Sequence, residues 1–137
     1  MQHVLIDACG WVAVIDANMN FDSELLGILG KPQLVLLPKI VEELERLDLQ
    51  RPRGKKLLLP MLLSKSSIEQ PLDENTVHTD DQIVNLAVEK RLVVLTVDVQ
   101  LKRRLFEVGR PVLEITKGKR LNLVDGLDNS CSGKTPE

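Results

Sequence analysis

Aromatic side chains are almost absent from this 137-residue sequence, which holds one Trp, two Phe and no Tyr. Base stacking on aromatic platforms is therefore excluded as a main mode of binding. Cysteine is scarce as well. Cys9 and Cys131 cannot build a disulfide framework and neither stands in a metal-ligand spacing, so a reducing cytoplasm is the natural setting. The histidines, His3 and His78, lie far apart without a partner motif, which argues against zinc. Long apolar runs are missing: Leu34–Leu37, Leu57–Leu59 and Leu92–Leu95 fall far below the roughly 18 residues that a membrane span needs. Asp7 interrupts the first apolar segment, so no signal peptide opens the chain. No G-x-G-x-x-G or Walker pattern follows a strand, which counts against nucleotide binding.

What is present is the composition of one soluble globular domain, with 43 % hydrophobic and 28 % charged residues. The net charge of −2 hides an uneven spread. Residues 1–37 carry −3, 38–65 carry +3, 66–98 carry −5, 99–120 carry +5, and the last segment −2. Such blocks suit an acidic focus beside a phosphate-bearing partner, although solvated faces often look the same.

The periodicity alternates between strand and helix. His3–Ile6 reads as a strand ending at Asp7, and Cys9–Asp16 as a turn into a helix. Phe21, Leu25, Leu26, Ile28 and Leu29 recur at helical spacing before the stop at Gly30. Gln33–Leu37 is a central-type strand, and Pro38 opens a helix through Leu49. A loop at Arg51–Gly54 leads to a Leu-rich helix over Lys55–Lys65, with Pro60 marking a kink or a late start, and then to a weak edge strand at Ile68–Leu72. Thr79 is a good N-cap for a helix ending near Arg91, and Leu92–Val97 is a buried-type strand ending at Asp98. A helix over Gln100–Val108 closes at Gly109, and strands follow at Pro111–Ile115 and Arg120–Val124. Residues 126–137 read as a mobile tail beyond a domain of residues 1–125. The order predicts an α/β fold, a single domain with a central, mainly parallel sheet flanked by helices. Ligands of such sheets bind at the carboxyl ends of the strands, where Asp7 and Asp98 both emerge.

Asp7, Glu43, Asp80 or Asp81, and Asp98 come from four places that this architecture brings together. Taken singly, the aspartates at 80 and 81 are helix N-terminal charges, Glu43 a solvated helix residue, and Asp98 an N-cap. Asp7, directly ending an apolar strand, is the hardest to explain structurally. Taken jointly, four acids at convergent positions favour a divalent cation, since crowded carboxylates raise one another's pKa. All-oxygen donors suit Mg²⁺ or Mn²⁺.

The segments Val4-Leu5-Ile6-Asp7, Leu37-Pro38-Lys39-Ile40-Val41-Glu42-Glu43-Leu44, Thr79-Asp80-Asp81-Gln82-Ile83 and Val94-Leu95-Thr96-Val97-Asp98 resemble, in order, the four acidic motifs of PIN-domain nucleases. Leu101–Leu105 and Gly109-Arg110-Pro111-Val112 resemble that family's closing helix and strand, so the likeness spans about residues 3–124. The Asp-Asp pair and Lys117-Gly118-Lys119-Arg120-Leu121 look most like its archaeal and ribosome-processing branch. Ala8 and Cys9 depart from the Thr or Ser and the Asn usual after the first Asp, which puts a polar outer layer of hydrogen bonds in question.

The resemblance implies an Mg/Mn-dependent endoribonuclease, with Asp7, Glu43, Asp80 and Asp98 catalytic and Asp7, Asp80, Asp81 and Asp98 as metal ligands. The family's spacing back from Thr96 favours Asp80 over Asp81, and Thr96 supports Asp98 or a metal-bound water. Arg51, Arg53, Lys55 and Lys56 in one loop, and Lys102, Arg103 and Arg104 in one helix, are candidate RNA contacts. Substrates in ribosomal RNA processing come first. The alternatives are the ribonuclease toxin of a toxin–antitoxin pair, whose small antitoxin chain occludes the site, and a non-catalytic module binding RNA or protein. Leu57–Leu59 and Met61–Leu63 exceed what one helix face buries, which points to a homodimer through that region.

Overall fold

The computed structural model describes residues 2–125; the expected mobile tail at 126–137 lies outside the described residues. The element order is β1 (His3–Ile6), α1 (Ala8–Ala17), α2 (Phe21–Leu29), β2 (Gln33–Leu36), α3 (Pro38–Leu49), a 3-10 turn (Arg53–Lys55), α4 (Leu59–Lys65), β3 (Ser66–Ile68), α5 (Thr79–Lys90), β4 (Val93–Leu95), α6 (Val99–Glu107), β5 (Val112–Ile115) and β6 (Leu121–Val124). The strands form one sheet in the order β3-β2-β1-β4-β5-β6, parallel except for the antiparallel β5–β6 pair. This is the expected α/β domain with a mainly parallel sheet. Its central strands are buried on both faces: Val4, Leu5, Ile6, Val94 and Leu95 have no exposed surface, which is why they read as continuous apolar runs.

Strand order runs one way from β1 through β2 to β3 and the other way from β4 through β5. The switch point lies between β1 and β4, which pair in register from Val4↔Val93 to Ile6↔Leu95. Crevices at such a point, outside the carboxyl ends, are where open α/β sheets bind ligands. α1 reaches this spot only because position 10 has no side chain. A Cβ on Gly10 would lie 2.6 Å from the Leu95 carbonyl oxygen, closer than any real contact.

Several boundaries differ from the sequence expectation. The helix expected over Lys55–Lys65 is a 3-10 turn and a separate α4, because Leu58 adopts a left-handed conformation (φ 57°) that turns both Leu57 and Leu59 inward. Trp11 donates its Nε1–H to the Leu57 carbonyl at 2.8 Å and fixes that bend. The edge strand falls on Ser66–Ile68, not Ile68–Leu72, since pairing with Leu34–Leu36 of β2 places it there. Pro71 lies beyond it. Thr79 is the first residue of α5 rather than its cap; His78 takes the N-cap position without a side-chain bond. Buried Gln82 anchors this start by donating Nε2–H to the Thr76 carbonyl at 2.7 Å. Of the apolar run, Leu57, Leu59 and Leu62 are buried, while Leu58, Met61 and Leu63 are exposed.

Candidate active site

Asp7 follows β1 directly and caps α1. Its Oδ1 accepts the Ala8 N–H at 2.8 Å, and its Oδ2 accepts the Thr96 hydroxyl at 3.0 Å and the Cys9 thiol at 3.1 Å. The residue is 9 % exposed. Asp7 therefore has a structural task that the sequence did not disclose, and one carboxylate serves both the cap and the rim. Thr96, fully buried after β4, also accepts the Asp98 N–H at 3.1 Å. A single hydroxyl thus ties the ends of two adjacent strands together. Asp98 caps α6, its Oδ1 accepting Gln100 N–H at 2.9 Å and Leu101 N–H at 3.2 Å. Asn or Thr after the first Asp is not needed for a polar surround: the Ala8 amide and the Cys9 thiol fill that role.

Asp80 sits in the first turn of α5, where the helix dipole favours negative charge. Burial raises its carboxyl pKa, and the nearby charges of Asp7 and Asp98 raise it further; Arg104 opposes them. Asp81 turns aside to pair with Arg104 at 2.7 Å, in an adjoining shallow cleft with His78 and Thr79. Glu43 accepts from Arg46 at 2.6 Å on the half-exposed face of α3.

These residues surround an open cleft of about 600 Å³. Asp7, Asp80 and Asp98 come from the sheet rim and α5, and Glu43 from α3; Cys9 and Thr79 complete the wall. Lys39, Glu42 and Arg46 line it too and escaped notice as site residues in the sequence. Their signal was there: positions 39, 43 and 46 share one face of a helix whose N-terminus is at the rim. Five carboxylates thus face two cations. Among the described residues no three His, Cys, Asp or Glu side chains converge on one point as a ready metal cage. The donor chemistry nonetheless fits a hard divalent cation, since every carboxylate is an oxygen donor and Asp80, which has no side-chain hydrogen bond among the described residues, feels the charges of Asp7 and Asp98.

The candidate RNA contacts divide. Arg104 borders the acidic cleft through Asp81, and Lys102 is paired with Glu114 at 3.1 Å. Arg103 is exposed. Arg51, Arg53, Lys55 and Lys56 instead border a different cleft, at the far end of α3. That helix has 12 residues, or about 18 Å at 1.5 Å per residue.

The fold and the cleft together define a class: a doubly wound α/β domain with a carboxylate-lined crevice over its switch point. A family model described as a PIN-like domain matches residues 4–118, and the chain belongs to that family. Among solved structures it is similar to one described as the PIN domain endonuclease Utp24, with 21 % identity, TM-score 0.69, and coverage of 90 % of this chain and 92 % of that one. It is also similar to PAE2754 from Pyrobaculum aerophilum, with 16 % identity, TM-score 0.54, and coverage of 75 % and 79 %. At these identities the likeness is one of fold. No curated protein matches the sequence. Among the described residues, no helix is long and apolar enough to cross a membrane.

Proposed function

We propose that this chain is a metal-dependent endoribonuclease that hydrolyses RNA phosphodiester bonds. The observation that carries this reading is that Asp7, Asp80 and Asp98 line one cleft at the carboxyl ends of β1 and β4, where burial, and after it the charges of Asp7 and Asp98, raise the Asp80 pKa. The likeness to a PIN domain endonuclease supports nuclease activity. The Asp80-Asp81 pair and the Lys117–Leu121 segment make ribosomal RNA processing the first substrate class to test, and the scarcity of cysteine makes the cytoplasm the proposed setting.

Asp7, Asp80 and Asp98 would hold one or two Mg²⁺ or Mn²⁺ ions, with Asp81 reaching in if its pair with Arg104 opens. A bound divalent ion supplies an activated water and stabilises charge on the leaving 3′ oxygen. The remaining work falls to the protein. The Thr96 hydroxyl and the Ala8 amide hold the Asp7 carboxylate in one orientation, which reduces the ordering cost of binding at that residue. Thr96 fixes the Asp98 backbone in the same way. Glu43 stands across the cleft, placed to accept a proton from water once Arg46 turns to substrate. Lys39 and Arg46 offer cations to the phosphate on the α3 side, and Lys102, Arg103 and Arg104 offer them from α6.

The test is cleavage of a structured RNA by the purified chain with Mg²⁺, Mn²⁺ or EDTA. Cleavage that needs the ion and is lost in both Asp80→Asn and Asp98→Asn supports the reading. A non-catalytic module would bind the RNA and leave it intact under all three conditions.

A further inference from the structure

We propose that the cleft between the α1–α2 turn and α4 is a docking groove for an acidic, leucine-bearing peptide segment of a partner protein. This cleft, about 610 Å³, lies at the end of α3 away from the carboxylates and is independent of the nuclease reading. Its floor is apolar, with Met19 and Met61 partly open above the buried Leu62. Its border is cationic. Arg51 and Lys65 are paired with Asp16 and Asp22, and Lys56 donates to the Asp48 carbonyl. Arg53 and Lys55 are exposed and have no carboxylate partner among the described residues. An occupant must therefore bring negative charge to that border and apolar side chains to the floor.

Leu58 sharpens the case. The left-handed bend at this position buries its neighbours on both sides, so the conformation has an internal purpose. The leucine does not. Its side chain is 51 % exposed, and Gly or Asn would adopt the same backbone with less strain. A strained, exposed leucine on the lip of a groove is explained by what it touches when the groove is filled.

RNA is a poorer fit. The rings that line the cleft, Trp11 and Phe21, are buried and packed edge to face at 5.4 Å, and the Trp11 N–H is spent on Leu57, so neither offers a face to a base. A second copy of the chain is a poorer fit too, because a two-fold contact here would bring together two borders on each of which the cations Arg51, Arg53, Lys55, Lys56 and Lys65 outnumber the carboxylates Asp16 and Asp22.

The test is panning of a random 12-residue displayed peptide library on the immobilised full chain, followed by titration of the enriched peptide into protein carrying ¹³C-methyl methionine. Two of the three methionines, Met19 and Met61, lie in the groove, so the methyl spectrum reads its occupancy. Enriched sequences should combine Asp or Glu with Leu or Met and should shift Met19 and Met61. Arg53→Glu with Lys55→Glu should weaken binding at least tenfold. Leu58→Gly should weaken it as much while raising Tm, a combination that a purely structural Leu58 would not produce. Enrichment no better than background, enriched peptides lacking acids, unshifted Met19 and Met61, or undiminished binding by either variant overturns the proposal. So does displacement of the peptide by an equimolar 12-nucleotide single-stranded RNA, or self-association that Leu58→Gly abolishes.

Discussion

Asp7 carries a cap and a place in the acidic cleft, and two substitutions separate the tasks. Asp7→Ala removes both acceptors. Loss of an N-cap costs about 0.5–2 kcal/mol. The Thr96 hydroxyl, which has no exposure, loses its carboxylate but keeps the Cys9 sulfur at 3.3 Å, so the lower part of the roughly 1–3 kcal/mol cost of an unmet buried group applies. The sum is about 1.5–3 kcal/mol, a fall in Tm of roughly 5–15 °C for a chain of this size. Asp7→Asn keeps an amide oxygen for the Ala8 N–H or Thr96 and removes a negative charge that raises the Asp80 pKa. In EDTA it should melt within about 2 °C of wild type, or above it. Scanning calorimetry with and without Mn²⁺ adds the second half. Saturation to a hundredfold above Kd stabilises the native state by about 2.7 kcal/mol, and this gain should vanish in both variants. If Asp7→Asn in EDTA melts as low as Asp7→Ala, charge crowding at the rim is not what the carboxylate endures. If Mn²⁺ still stabilises Asp7→Asn as it does wild type, Asp7 is not a ligand.

Three other outcomes follow from the same geometry. Gly10→Ala should destabilise by about 2 kcal/mol or more, because the new Cβ meets the Leu95 carbonyl oxygen and that backbone cannot give way; denaturant unfolding measures it. Asp80 has a folded pKa raised by burial and by Asp7 and Asp98, so its favourable contribution to the metal-free protein is complete below about pH 4 and is lost as pH rises through the folded value. Asp80→Asn should therefore flatten the decline of metal-free Tm above that pH, and an unchanged slope would contradict the assigned cause. Lys39→Ala and Arg46→Ala should raise KM for RNA several-fold in steady-state cleavage, whereas Arg53→Ala, at the other end of α3, should leave it unchanged.

The sheet was legible because its central strands, Val4–Ile6 and Leu34–Leu36, are buried on both faces and so appear as unbroken apolar runs. Helix starts were legible where the signal is local, as with Pro38 at α3 and Asp98 at α6. The late start of α4 was legible through Pro60, which sits in its first turn, but the bend before it was not, because that depends on a left-handed leucine and a hydrogen bond from Trp11, 46 residues away. β3 was legible as an edge strand but was placed too late, at Ile68–Leu72, because Ser66 and Ser67 have no strand propensity of note and pair only through β2. The convergence of Asp7, Asp80 and Asp98 was readable from two strand ends and one helix start. The grouping of Lys39, Glu42 and Arg46 with them required knowing that α3 begins at the rim. The separate position of Arg51, Arg53, Lys55 and Lys56 required knowing that it ends about 18 Å away.

Crystals soaked in Mn²⁺ and measured at its absorption edge test the central claim most directly. Anomalous density within about 2.5 Å of carboxylate oxygens of Asp7, Asp80 and Asp98 is the predicted result. An ion bound only elsewhere, or none at a concentration that supports cleavage, would contradict the account.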